Sequence, residues 1–287
     1  MPPSLCVRVE KMRHYMSQSV AVIAACCIVM GLSCCVATGA NAPTVYLTFN
    51  GVDNYVEVPS SAVQSLSNAG LTVAVWMRPD SLMFSKTEGS LASQQYVHWF
   101  GKGQDAQQEW TFRMYSLTQP GPRQNRISFY AFKLDGGRGC GSYFQDPIQP
   151  GQWLQVVGVV DQSVSKVSIY KNGQLRHSDS YASLSPAPQP GSAPLRIGSK
   201  DLTSYFQGAI GPIWIWNRPL SSSEVGALFS SGTVPQGGLV AQYLMNEGTG
   251  TTIHDSVGKN NGAISGATWG HGNGTIGAGG GQSGGGC

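Results

Sequence analysis

The stretch LTVAVWMR, residues 71–78, alternates without a break, with Leu71, Val73, Val75 and Met77 on one side. Period-two alternation makes a β-strand that turns one face to a core. Pro79-Asp80 ends it. Similar runs occupy residues 45–49, 55–58, 110–115, 127–132, 153–160, 167–170, 195–197, 206–216 and 239–244. Clusters of Gly, Pro, Asn and Ser separate them, and many short strands at close spacing predict an antiparallel sandwich. Lys171-Asn172-Gly173-Gln174 predicts a hairpin, because a type I′ turn needs positive φ at both central residues. One short helix is expected near residues 221–230. Ser221 and Glu224 form a capping box, Val225, Leu228 and Phe229 an apolar stripe, and Pro219 and Gly232 bracket it.

The first 42 of the 287 residues read differently. Lys11, Arg13 and His14 precede an uncharged run over 19–42, whose centre, 20–30, is apolar. Small residues follow, ending Ala40-Asn41-Ala42. This is the layout of a secretory signal peptide cut near Ala42. Its apolar centre is short beside the roughly 20 residues of a membrane span. An uncleaved anchor and a lipoprotein are the alternatives, the latter because Ile23-Ala24-Ala25-Cys26 looks like a lipobox. Removing residues 1–42 takes away Arg8, Lys11, Arg13 and Glu10 and leaves a net charge of about +1. No basic cluster points to nucleic acid. Cys140 and Cys287 remain, and an extracellular disulfide between them is permitted. Residues 271–287 are glycine-rich without apolar periodicity and are expected to be disordered.

Several pieces in order resemble the LamG-like jelly-roll family of the concanavalin A-like lectin/glucanase superfamily. They are Phe49-Asn-Gly-Val-Asp-Asn-Tyr-Val-Glu-Val-Pro59, the strand 71–79 with Trp76, Trp153-Leu-Gln-Val-Val-Gly-Val-Val-Asp161, Ser168-Ile-Tyr-Lys-Asn-Gly-Gln174, the run 206–221 leading into the helix, and 239–269. The resemblance covers residues 43–270 and implies an all-β fold, a two-sheet antiparallel jelly-roll sandwich. It departs from the family pattern at Gly211-Pro212, where an acidic residue is usual. The 239–269 piece can open such domains but here comes last, and it is expected to close the same sandwich, since about 30 residues cannot bury a sheet face alone.

Two candidate sites follow. Asn50-Gly51-Val52-Asp53-Asn54 is either a plain β-turn or a calcium corner. Asp53 and Asn54 would supply oxygens, joined by Asp255 and Asn260 if the two ends of the domain meet. A lone carboxylate per loop makes Ca²⁺ affinity modest. The second candidate is aromatic: Trp99, Trp110 and Tyr143 as stacking faces for sugar rings, with Arg138 and polar neighbours such as Gln104, Asp105 and Gln108 bonding hydroxyls. Core packing is the competing reading for Trp110.

Catalysis has little support. Glycoside hydrolases of this superfamily use E-x-D-x-x-E on one strand, and Glu109, Glu224 and Glu247 each stand alone. The histidines His98, His177, His254 and His271 read as scattered turn and loop residues without metal-ligand spacing. The expectation is an exported, non-catalytic module, secreted or at the cell surface. Its partner is a glycan or an extracellular protein, with Ca²⁺ as an auxiliary, and it meets a membrane only through an N-terminal anchor or lipid. A polysaccharide-degrading enzyme and a purely structural adhesion module are the alternatives. Two carboxylates facing each other across a cleft would revive the enzyme.

Overall fold

The alternating runs pair into two sheets. The computed structural model describes residues 42–59, 67–89, 95–104, 106–182, 188–272, 275–276 and 283–286. All of them belong to the unit formed by residues 39–287. The expected leader, except Ala42, lies outside the described residues, as do Asp105 and Cys287. None of the described helices is long and apolar enough to cross a membrane.

The strands in chain order are β1 (Val45–Asn50), β2 (Tyr55–Val58), β3 (Gly70–Pro79), β4 (Tyr96–Gln104), β5 (Gln107–Tyr115) and β6 (Ile127–Lys133). Next come β7 (Gly136–Phe144), β8 (Gln152–Asp161), β9 (Lys166–Lys171), β10 (Gln174–Ser180), β11 (Leu195–Ile197) and β12 (Gln207–Trp216). The helix α1 (Ser222–Ser231) precedes β13 (Leu239–Tyr243), β14 (Thr252–Ile253), β15 (Gly262–Ser265), β16 (Thr268–His271), β17 (Thr275–Ile276) and β18 (Ser283–Gly286). One sheet has the order β10-β9-β8-β3-β12-β1-β16, with β13 on β12 and β17 on β8. The other is β14-β15-β2-β11-β4-β5-β6-β7-β18. Pairing is antiparallel except for β17, which runs parallel to β8. This is the all-β jelly-roll sandwich that the sequence predicts.

The predicted faces meet between the sheets. Leu71, Val73, Val75 and Met77 of β3 share one core with Val97, Trp99, Phe100, Trp110, Phe112 and Phe129 of the facing sheet. The aromatic rings interlock, with Phe112 to Phe129 at 4.7 Å and Trp99 to Phe112 at 5.0 Å between centroids. The other face of β3 is buried too, which single-faced alternation does not anticipate. Ala74 and Trp76 join Trp153, Trp214, Trp216, Val225 and Leu228 in a second cluster, and Phe229 of α1 lies 5.9 Å from Trp76. The helix starts where its sequence says. Ser221 Oγ accepts from the Glu224 amide, Glu224 Oε2 accepts from the Ser221 amide, and Gly232 caps the end at φ 69°. The hairpin also forms, with Asn172 at φ 50° and Gly173 at φ 76°. Gly211-Pro212 falls in a register shift of β12 against β3, between Ile210 and Ile213.

The late piece joins both sheets: β13 pairs with β12, β15 with β2, and β16 with β1. Within the glycine-rich tail, the described strands β17 and β18 pair with β8 and β7, since backbone ladders need no side-chain pattern. Gly286 pairs with Gly141, the residue after Cys140, which has no exposed surface.

Candidate functional site

Val97 and Trp99 of β4 point into the core, so Tyr96 and His98 stand on the outer face of the second sheet. A bulge between His98 and Phe100 turns both Trp99 and Phe100 inward. Beyond it the outer positions are Gly101 and Gly103. A groove of about 510 Å³ opens here, lined by Glu88, Gln104, Asp201 and Thr203.

Two loops bring its carboxylates together. Glu88 bridges to Tyr96, its amide donating to the Tyr96 carbonyl at 2.8 Å. The segment after β11 lies against β4: Gly198 N donates to Trp99 O at 2.7 Å, Lys200 N to His98 O at 2.9 Å, and His98 N to Ser204 Oγ at 3.0 Å. Ser204 Oγ in turn donates to Glu88 Oε1. His98 Nδ1 then lies 2.9 Å from Glu88 Oε2 and 3.5 Å from Asp201 Oδ2. Burial disfavours charge on Asp201, but its hydrogen bond to His98 and the charge of Lys200 outweigh this and hold the carboxyl below the usual carboxylate range.

Behind the ring, Arg113 Nε and Nη2 approach His98 Nε2 at 3.2 and 3.1 Å. A guanidinium only donates, so Nε2 accepts and the imidazole proton sits on Nδ1, directed at the carboxylates. Arg113 is held by Tyr96 and Tyr130, 4.0 and 4.7 Å from their ring centroids. Burial pushes both phenols up. One ligand atom each from Glu88, His98 and Asp201 lie within 4.8 Å of one another, a spacing that suits a divalent ion. A proton on Nδ1 blocks that nitrogen, so His98 could join such a site only if Arg113 withdrew.

The sequence-derived candidates fall elsewhere. Trp99 and Trp110 are 0% and 1% exposed in the inter-sheet core, which corrects their reading as sugar platforms: their faces already pack on Phe112 and Phe129. Arg138 lies on β7. Tyr143 is on the groove's own sheet face, in the cross-strand row His98, Arg113, Ser128, Tyr143. Arg126 covers its ring at 3.6 Å and His177 stacks at 6.0 Å. His98 and His177 are strand residues rather than turn residues.

The corner at Asn50 is an Asx turn. Asn50 Oδ1 accepts from the amides of Val52, Asp53 and Asn54, while Asp53 Oδ1 accepts from the side-chain amides of Asn50 and Asn54. Asp255 Oδ1 accepts from the Gln242 and Val257 amides, and its Oδ2 accepts from Asn260 N and Nδ2. The two loops sit at opposite ends of the β2–β15 ladder: Tyr55, after Asn54, faces Ser265, whereas Asp255 follows β14, whose Ile253 faces Gly262. Glu88 and Asp201 escaped sequence reasoning because only the chain's path through two loops makes them neighbours.

The sequence profile of a family described as the concanavalin A-like lectin/glucanases superfamily matches residues 50–226. The chain belongs to that family. Among solved structures, this concanavalin A-like domain is similar to a candidate carbohydrate binding protein from Bacteroides ovatus, with a TM-score of 0.57 and 17% identity over 80% of this chain and 60% of that one. It is also similar to the native heptameric SAP-like pentraxin from Limulus polyphemus, with a TM-score of 0.51 and 15% identity over 79% of this chain and 98% of that one. At such identities the likeness shows the fold alone. The domain thus spans 60% of the length of the Bacteroides ovatus protein. No curated protein sequence matches the chain.

Proposed function

We propose that this domain is a non-catalytic glycan-binding module whose ligand lies in the groove along β4. The carrying observation is the groove itself: about 510 Å³, lined by two carboxylates, an amide and a hydroxyl. Sugar hydroxyls need such fixed polar partners, and a cavity of this size holds one or two sugar rings. The Bacteroides ovatus similarity agrees with a carbohydrate ligand. The test is a glycan array and titration calorimetry on the purified chain and on Glu88→Gln. Binding by the wild type, weakened at least tenfold in the variant, supports the reading. A blank array beside clear capture of a surface protein would replace it with adhesion.

Two facing carboxylates also raise the enzyme again. Cleaving a glycosidic bond needs one carboxyl to bring a proton and the other to act as base or nucleophile. Asp201, amid donors, is not the proton carrier, and Glu88 is backed by the Ser204 hydroxyl and the His98 N–H, both donors. That arrangement favours binding over cleavage, and release of reducing ends from a polysaccharide panel would reverse the choice. Export belongs to the same proposal, and mass spectrometry of the mature N-terminus tests it. So does a Cys140–Cys287 disulfide, inferred from the register of β18 and tested by non-reducing peptide mapping.

A further inference from the structure

We infer that the groove selects an amino sugar, a glycan residue with a free ammonium group, over neutral and acidic glycans. This rests on the glycan-binding reading above. Both charged residues lining the groove, Glu88 and Asp201, are acidic. The neighbouring cations are turned away or already engaged. The Lys200 side chain is 3% exposed, with Nζ on Gln108 Oε1 at 2.8 Å and 3.4 Å from Asp201 Oδ2. Arg113 lies behind the His98 ring, and Arg196 is bound to Glu57 at 2.6 Å and to the Lys200 carbonyl at 2.9 Å. A ligand therefore meets chiefly acceptors. His98, 5% exposed, sets its Nδ1 2.9 Å from Glu88 Oε2 and 3.5 Å from Asp201 Oδ2, and so fixes the two carboxylates side by side at the groove.

An ammonium carries three donors and a full charge, and charge-assisted hydrogen bonds to carboxylates are about twice as strong as neutral ones. An N-acetyl group offers one donor and no charge, and a uronic or sialic carboxylate meets like charge. A divalent ion is the competing cation. The Arg113-directed proton on His98 Nδ1 stands against it, because metal coordination there requires a bare lone pair.

The experiment compares three oligosaccharides by calorimetry on the full chain: a glucosamine oligomer, its N-acetylated counterpart and an oligogalacturonate. The glucosamine oligomer is expected to bind roughly tenfold tighter than the acetylated one, with the uronate weakest. The preference is expected to collapse in Glu88→Gln and Asp201→Asn at unchanged circular dichroism. Should either variant fail to fold, the wild type alone decides. Raising the pH until the ligand amine loses its proton must then erase the advantage of glucosamine while leaving the acetylated oligomer's affinity in place. Equal binding of all three sugars, or tighter binding of the uronate, overturns the inference and leaves glycan binding standing. No binding of any sugar overturns glycan binding as well. Thermal stabilisation by Zn²⁺ or Ca²⁺ that vanishes in Asp201→Asn assigns the groove to a metal and overturns the ammonium reading.

Discussion

Replacing Gly158 with alanine is expected to wedge the two sheets apart. Gly158 sits in β8, opposite Val73 of β3 and Ile169 of β9. A methyl group there would lie 2.4 Å from Cγ of Phe129 and 2.5 and 2.6 Å from its Cδ atoms. Non-bonded carbons settle at about 3.5–4.0 Å, so ring and methyl must separate by roughly 1 Å or more. Phe129 cannot swing aside, since it has no exposed surface and is pressed by Phe112 at 4.7 Å and Trp110 at 6.2 Å. β8 cannot yield alone, being laddered to β3 and β9. Gly158 is not among the positive-φ glycines, so alanine suits its backbone and the cost is steric. Overpacking of a dense core costs about 1–3 kcal/mol, and this contact belongs at the upper end. For a domain of this size, about 3 kcal/mol corresponds to a fall of roughly 6–12 °C in Tm. Calorimetry reads it, with far-ultraviolet circular dichroism confirming the fold. Phe129→Leu in the same background is expected to cost less than it does alone, because the clash is shared. A Gly158→Ala protein melting within about 1 °C of wild type, as a surface substitution that touches nothing would, refutes the face-to-face packing.

Three further outcomes follow from the same geometry. The hydrogen bond from Arg218, opposed by burial and helped by the Ser221 amide, holds the Glu224 carboxyl at about 2. Its folded value lies below its unfolded one, so its stabilisation is present above the ordinary carboxylate range and is lost as pH falls through about 2; the Tm gap between wild type and Glu224→Gln should be steady near neutral pH and close toward pH 2. Asp146, 1% exposed, pairs with Lys171 and Arg176 at 3.0 Å each, so Asp146→Ala strands a buried ammonium and should cost about 3–5 kcal/mol in urea unfolding. Because the Asp53 and Asp255 oxygens already accept protein donors, chelator and added Ca²⁺ are expected to leave Tm unchanged; a Ca²⁺-dependent rise lost in Asp255→Asn would install the ion at that loop.

Much of the fold is legible in the residues because its local rules agree with one another. LTVAVWMR, the Asn172-Gly173 turn and the Ser221–Glu224 box each form as read, since each depends on neighbours along the chain. Legibility ends where the third dimension intervenes. The bulge at Trp99 turns two successive aromatics inward, so an indole that looks free for a sugar becomes core. Trp76 is covered by a helix far along the chain, so a strand with one apolar face is buried on both. The last tail strand, Ser283–Gly286, is nearly all glycine and leaves no side-chain pattern to read. The groove is the extreme case. Glu88 comes from one loop, His98 from a strand and Asp201 from a second loop, and their chemistry exists only once β11 lies beside β4.

The most direct test of the account is a residue-resolved NMR titration of the domain with a glycan identified on the array. Ligand-induced shifts are expected to cluster at Glu88, His98, Gly101, Gly103, Gln104, Asp201 and Thr203, fading across β6 and β7. Shifts centred instead on Asn50–Asn54 and Asp255–Asn260, with the β4 groove silent, would contradict it.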